Sequence, residues 1–539
     1  MRAHRRAATA LRELGVETIF GLMGEGNMRP LIDFGAIGGT VVAATTEGAA
    51  VSMADGYARV GRRLGVASVT HGPGATNALT ALTEAVRART PLLLLTGDTP
   101  PRADHLQRFD LRGLAGLAGA GYVRVGAAAD TATDVARAVR RAQAECRPVV
   151  LDLPVPLQRV EVADGPPLRP APPAWPGLPD EDELDRALGI LAAARRPVIL
   201  AGRGALDARD EIVALARAVG APLGTTLLGK GLFAGEPLDL GVLGTLASEV
   251  ALETVQGADC LLVLGAGLNR YTSVDGALLA GRAVIQVDRD PARIRAAAEV
   301  GLVADVRRTA ASMREQLVAA GQEPATAHRG DLAELLAAEA ARPVAGAEDA
   351  DGADTIDPRT VMRLLDRVLP ADRVVVTDTG RFVYAPWRLL SVRSPADFAH
   401  TCNFASIGLG LGTALGAAAG SGRPTVAVVG DGGGVMNLVE LATAVRLGLP
   451  LLVVVCNDGA YGMEYRHLRL DGDDPAPARC VWPDFAEVAR ALGARAATVR
   501  TAGDLDGVAV QLASLGSDGA GPLLLDVRCD PDLDLADLG

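Results

Sequence analysis

Aromatic side chains are scarce in this chain, 3% of 539 residues, and no apolar run approaches the ~20 residues of a membrane-spanning helix. Cysteines at zinc or redox spacing are also missing. The six present (Cys146, Cys260, Cys402, Cys456, Cys480 and Cys529) are scattered, with no CxxC, and read as reduced thiols of a cytoplasmic enzyme. Positive charge is not in excess: 53 Lys and Arg against 65 Asp and Glu give a net charge of −12, which argues against a nucleic-acid surface. The N-terminal stretch MRAHRRAATALREL is basic but lacks the apolar core of a secretory signal, so an amphipathic first helix is expected instead. What remains is 49% hydrophobic and 22% charged, a globular composition, and its length calls for two to four domains.

Short apolar runs alternate with helical patterns along the whole chain. In residues 1–160 the runs ETIFGLMG, TVVAATTEG, GVASVTHGPG, TPLLLLTGDT and RPVVLDLPV predict an α/β domain with a mostly parallel sheet. Residues 161–182 are proline-rich and read as a linker. A second α/β unit is predicted over 183–320, a second, alanine-rich linker over 321–355, and a third α/β domain over 356–539. In the middle unit GAGLNR resembles a nucleotide-binding turn followed by Asp288, but Arg270 stands where the third glycine belongs.

The most informative stretch runs from Thr425 to Gly462. An apolar strand (Val426 to Val429), a helical pattern ending at Gly448 and a second strand (Leu451 to Val455) make one parallel crossover. Asp431 follows the first strand and Asp458 the second, so both carboxylates fall at the sheet edge where open α/β folds bind ligands. Gly432, Gly433 and Gly434 allow close approach of phosphate. Mg²⁺ takes one or two protein carboxylates and completes its shell with phosphate oxygens. The combination predicts a diphosphate held through a metal.

This stretch, GDG followed at a fixed spacing by ND, resembles the cofactor motif of thiamine-diphosphate enzymes. The resemblance implies Mg²⁺ ligation by Asp431, Asp458 and the Ala460 carbonyl, with Gly430, Gly432, Gly433, Tyr461 and Gly462 around the cofactor. ATTEGAAVSMADGYARVGRRLGVASVTHGPGATNALTALTEA resembles the pyrimidine-binding segment of acetolactate synthase and its relatives. Glu47 there takes the place of the catalytic glutamate, which bonds the aminopyrimidine ring so that the cofactor can lose its own proton. The family places Ser or Thr where His71 stands; His71 either faces the reacting carbon or closes a loop hydrogen bond. GLMGEGN puts Glu25 at the acidic position of pyruvate-decarboxylase-like enzymes, a proton-transfer candidate or a plain surface acid. HLQRFD puts Gln107 near substrate. VVTDTGRF supplies Gly380 and Arg381 toward the diphosphate. NFASIGLGLG supplies the Ala405 carbonyl and the bulky Ile407 beneath the cofactor.

The three α/β blocks match the thiamine-diphosphate-enzyme fold: pyrimidine-binding, central Rossmann-like and diphosphate-binding. The resemblance implies a carboligase of acetolactate-synthase type acting on a 2-oxo acid and a second carbonyl compound. A decarboxylase or aldehyde lyase on the same cofactor is the alternative, and a non-catalytic paralogue a further one. A homodimer or homotetramer with the site at the subunit interface is expected, with no nucleic acid and no membrane. FAD, carried by some relatives in the middle domain, is set against the absence of recognisable histidine and arginine positions around GVLGTLAS and GAGLNRYTS.

Overall fold

The computed structural model describes residues 1–102, 104–170, 177–341, 354–517, 519–533 and 535. Three six-stranded sheets follow one another along the chain, and every described ladder is parallel. In spatial order the first consists of Thr40–Ala43, Thr18–Gly21, Gly65–Ser68, Leu92–Thr96, Val149–Asp152 and Gly121–Arg124. The second consists of Val300–Val303, Ala283–Asp288, Cys260–Leu264, Pro197–Ala201, Leu223–Thr225 and Asp239–Val242. The third consists of Phe398–His400, Val374–Thr377, Thr425–Gly430, Leu451–Asn457, Leu523–Arg528 and Arg495–Val499. Central strands such as Leu92–Thr96, Cys260–Leu264 and Leu451–Asn457 are buried at every position, because helices cover both faces of such a sheet. This is the three-block α/β architecture expected from the sequence.

The first and third blocks form one compact unit, and the middle block, with Ser391–Phe398, forms another. Within the first unit a single apolar core runs from Phe20, Met53 and Leu82 through Leu411 and Leu415 to Val453 and Leu524. The helices Glu47–Gly61 and Gly410–Ser421 join the two blocks by crossing at backbone distance. A Cβ at Gly56 would lie 1.9 Å from the Thr413 carbonyl oxygen, and one at Gly416 would lie 1.8 Å from that of Met53. Only glycine permits that approach, and it places the start of the Glu47 helix against the third block.

Two local expectations change. The residues read as a second linker, 321–355, include a helix at Leu332–Ala341, and their remainder at 342–353 lies outside the described residues. Part of the first linker, 171–176, also lies outside them. The helical pattern after Asp431 is a broken run: Asp431–Asn437, a 3₁₀ turn at Leu438–Glu440, then Leu441–Arg446. Among the described residues no helix is long and apolar enough to cross a membrane.

Overpacking a tight crossing typically costs about 1–3 kcal/mol. Gly416→Val is therefore expected to lower the stability of the first unit by an amount in that range, read as a fall in its urea midpoint. Gly189→Ala, on the exposed helix Glu181–Ala193 with open space around it, is expected to leave stability unchanged or slightly raised. Equal midpoints for Gly416→Val and wild type would contradict the crossing as described.

Candidate functional site

The third sheet delivers the two aspartates as the crossover requires. Gly430 pairs with Cys456 at the ends of adjacent strands, and Asp431 and Asp458 begin the turns beyond. Asp431 is 3% exposed; its Oδ1 accepts from Gly432 N at 2.7 Å and its Oδ2 from Gly459 N at 2.8 Å. Burial and then the negative charge of Asp458 push its carboxyl up to about 7. Asp458 is also raised by burial, against the pull of the Arg381 guanidinium 2.8 Å from its Oδ2. A buried carboxylate and a half-buried one, both raised and the second adding to the rise of the first, form a donor set that a divalent cation fits.

The turn after Asp458 leaves a carbonyl available. Gly459 O accepts from Cys480 N at 2.9 Å and Tyr461 N donates to Ala478 O at 2.9 Å, while the Ala460 carbonyl takes part in neither bond. Tyr461 packs edge-on against Trp482 with ring centroids 5.7 Å apart, and a Cβ at Gly432 would meet its ring at 2.8 Å. At Gly462 a Cβ would lie 2.7 Å from Asp458 Oδ2. The glycines thus keep the turn clear around both carboxylates.

Arg381 differs from its expected use. Its NH1 donates to Pro531 O at 2.9 Å and Leu533 O at 2.5 Å, and its NH2 donates to Asp458 and to Asp530 O at 3.1 Å. The guanidinium is committed to Asp458 and the C-terminal segment, which leaves the backbone beside Gly380, and not the arginine side chain, as what this turn could offer a ligand.

Beneath the glycine run sits the loop 401–408. Asp378, fully buried, accepts from Thr401 Oγ1 at 2.8 Å and Gly408 N at 2.7 Å, and Asn437 Nδ2 holds the Gly408 carbonyl. Ala405 adopts φ +61°, a left-handed conformation that costs an alanine on the order of 1 kcal/mol. Ile407 is half-buried, and its Cβ would stand 3.3 Å from a Cβ placed on Gly433. It is not a core isoleucine.

In the first sheet Glu47 opens the helix Glu47–Gly61 behind the cap Thr46, half-buried, with Asn77 Nδ2 donating to its Oε2 at 3.2 Å. His71, 1% exposed, donates through Nε2 to Gln107 Oε1 at 2.9 Å, while its Nδ1 is buried without a partner. The ring of His105 lies 6.0 Å away. Burial holds the His71 imidazole below its ordinary range, against the Gln107 bond and the charge of Glu25. Glu25 itself is exposed on a pinned loop: Gly26 N donates to Thr70 Oγ1 at 3.0 Å, and buried Gln158 donates to Gly26 O at 2.7 Å. His71 and Gln107, from separate stretches, are thus hydrogen-bonded to each other, and the charge of Glu25, exposed on its loop, acts on the imidazole. The supports Gln158 and two buried glutamates, Glu84 and Glu440, lie outside the residues expected from sequence; for the glutamates, an acid inside an apolar helical pattern is the available signal.

In the middle domain the GAGLNR turn lies against this chain's own side chains. A Cβ at Gly267 would lie 2.4 Å from Arg293 NH2, and Asp288 faces that arginine at 3.7 Å and accepts from the Asp290 amide at 3.0 Å.

Comparison with known proteins supplies the family. The thiamine pyrophosphate enzyme N-terminal TPP binding domain matches residues 1–114, the central domain 184–313 and the C-terminal TPP binding domain 378–527. The chain is 31% identical over 96% of its length to a probable 2-ketoarginine decarboxylase of Pseudomonas aeruginosa, covering 92% of that protein. It is 31% identical over 90% of its length to an acetolactate synthase large subunit of Parasynechococcus marenigrum, covering 81% of it. A sulfoacetaldehyde acetyltransferase of Alcaligenes xylosoxydans xylosoxydans is 28% identical over 90% of this chain and 86% of its own.

The buried His71 has a stability consequence. Unfolded, it takes a proton below about pH 6.5, whereas in the fold it stays neutral to lower pH. The unfolded state then binds more protons in that window, so stability falls as pH drops through about 6.5. His71→Gln is expected to flatten the loss of urea midpoint between about pH 7 and 5.5. An unchanged slope would contradict a buried, neutral imidazole.

Proposed function

The chain belongs to the thiamine pyrophosphate enzyme family, and we propose that it uses thiamine diphosphate and Mg²⁺ to decarboxylate a 2-oxo acid, releasing an aldehyde. The observation that carries the choice of product is the buried His71–Gln107 pair, on which the charge of the loop acid Glu25 acts. A loop acid beside a hydrogen-bonded imidazole is equipment for delivering a proton to carbon.

When bound, the cofactor supplies the electron sink that lets carbon dioxide leave a 2-oxo acid. The rest is the chain's work. Asp431, Asp458 and the Ala460 carbonyl would hold Mg²⁺, and the backbone of Gly380, Gly430, Gly432 and Gly433, with Tyr461 and Gly462, would line the diphosphate site. Ile407 and the Ala405 carbonyl would support the cofactor between its two ends. Glu47 would meet the pyrimidine ring, and its bond from Asn77 orients that carboxyl. Gln107 fixes the His71 ring through Nε2, and Glu25 brings the mobile proton from the loop side.

A second reading is carboligation, in which the acyl fragment passes to a carbonyl acceptor. The full-length likeness to acetolactate synthase favours it. It is also the activity that the resemblance in sequence implies. In both readings we propose a homodimer or larger oligomer whose neighbour completes each site. Met436, Val439 and Phe404, 51%, 49% and 38% exposed, flank the cofactor loops as an apolar surface for that neighbour to cover.

The test incubates purified enzyme with 2-oxo acids of varied side chain, with and without aldehyde acceptors, and identifies products by mass. Free aldehyde is expected, and Glu47→Gln is expected to slow its release by about 100-fold or more. Glu25→Gln is expected to leave carbon dioxide release largely intact while the aldehyde yield falls. Acetolactate from pyruvate alone would establish the second reading instead. Sedimentation at working concentration checks the assembly, and an active monomer would overturn it.

A further inference from the structure

Two glutamates in the first unit are buried where no substrate or metal reaches them. Glu440 is 0% exposed and ends the 3₁₀ turn that continues the Asp431 helix. Its Oε1 accepts from Thr45 N at 2.8 Å, Thr45 Oγ1 at 2.5 Å and Thr46 N at 3.2 Å, and its Oε2 accepts from Thr443 Oγ1 at 2.9 Å. Arg446, one turn on, donates to the Ala43 carbonyl. A side chain of the third block thus satisfies the backbone of the turn that caps the first block's Glu47 helix.

Glu84 does the converse. It is 2% exposed on the first-block helix Leu79–Arg87. Its Oε1 accepts from Asn403 Nδ2 at 2.7 Å and Asn403 N at 3.3 Å, and its Oε2 accepts from Phe404 N at 2.6 Å. The residue that follows is Ala405 in its left-handed conformation, with Ile407 two further on. Arg87, on the same helix, stacks over the Phe404 ring at 4.5 Å, and Arg59 donates to the His400 carbonyl at 2.8 Å.

A buried carboxylate is costly unless hydrogen bonds meet it, and here the donors are backbone N–H groups of the opposite block. Each acid therefore fixes φ and ψ just ahead of a cofactor-facing residue that belongs to the other block. We propose that Glu440 and Glu84 are a reciprocal pair of positioning residues: Glu440 sets the turn that presents Glu47, and Glu84 sets the turn that presents Ala405 and Ile407. The proposal rests on the roles given above to Glu47, Ala405 and Ile407. Because both clamps act within one chain, the two cofactor-facing segments of that chain cannot shift independently.

The experiment compares Glu440→Ala, Glu440→Asp, Glu440→Gln and Glu47→Gln in the full-length protein loaded with thiamine diphosphate and Mg²⁺. The readouts are amide deuterium uptake over residues 43–47, exchange of the cofactor's C2 proton followed by NMR, and cofactor affinity. Glu440→Ala is expected to raise uptake at Thr45 and Thr46 and slow C2 exchange at least tenfold, with cofactor affinity within threefold of wild type. Glu440→Asp, which withdraws the acceptor but keeps the charge, is expected to move both in the same direction by less, and it serves if the alanine variant does not fold. Glu440→Gln, which keeps an acceptor oxygen, is expected to restore both nearly to wild type. For the other arm, Glu84→Gln is expected to stay near wild type, and Glu84→Ala to change the near-ultraviolet circular dichroism of the bound cofactor while Mg²⁺ affinity holds. Unchanged uptake and exchange in Glu440→Ala and Glu440→Asp, or an unchanged dichroism in Glu84→Ala, overturns the proposal. If Glu47→Gln itself leaves C2 exchange unchanged, the reading of Glu47 fails instead, and the Glu440 clamp is decided by amide uptake alone.

Discussion

Two like charges placed side by side at the ends of neighbouring strands dominate this molecule. The parallel crossover from Thr425–Gly430 to Leu451–Asn457 leaves Asp431 and Asp458 no other place to go. The rise of the Asp431 carboxyl from 3.8 to about 7 corresponds to roughly 4 kcal/mol against the ionised form, since each unit is worth about 1.4 kcal/mol. That figure is what remains after the Gly432 and Gly459 amides have been counted, and at Asp458 the Arg381 guanidinium works in the same direction as those amides. A divalent cation held by the two would favour their ionised forms, and Gly432, Gly433 and Gly462 let Tyr461, Asp378 and Asp458 pack against the turn with no side chain between.

The same logic of burying acids against backbone recurs at the junction of the first and third blocks. The Gly56 and Gly416 crossing brings the two helices so close that side chains cannot mediate the contact. Polar fixation therefore moves to its edges, where Glu440 and Glu84 accept amide hydrogens from the opposite block. Arg381 extends the pattern to the C-terminal segment through the carbonyls of Asp530, Pro531 and Leu533. Acids and arginines, each paired with main chain, do the fastening that hydrophobic packing alone would leave free to slide.

The sheets were legible in the sequence because strands of a doubly covered parallel sheet are continuous apolar runs, as at Leu92–Thr96 and Leu451–Asn457. The meeting of Asp431 and Asp458 was legible for a topological reason: a right-handed crossover puts both strand ends on one edge. Other features depend on pairings distant in sequence, which periodicity does not encode. Nothing near Glu440 names Thr45, and nothing near His71 names Gln107, although each pair is in hydrogen-bond contact. The direction of Arg381 was unreadable for the same reason, since its carbonyl partners lie in the last residues of the chain. The helix Leu332–Ala341 escaped because alanine carries little amphipathic contrast, and the break after Asn437 because a 3₁₀ turn leaves the apolar pattern almost unaltered.

The central claim is that the two carboxylates hold a metal that in turn holds the diphosphate. Isothermal titration of thiamine diphosphate into the metal-stripped protein, with and without Mg²⁺, addresses it most directly. The account expects tight binding only with Mg²⁺, and a loss of at least about tenfold in Asp431→Ala even at saturating Mg²⁺, in a variant whose thermal midpoint without ligands is no lower than wild type because one buried charge is gone. Equal affinity in the presence and absence of divalent cation, or undiminished affinity in Asp431→Ala, would contradict it.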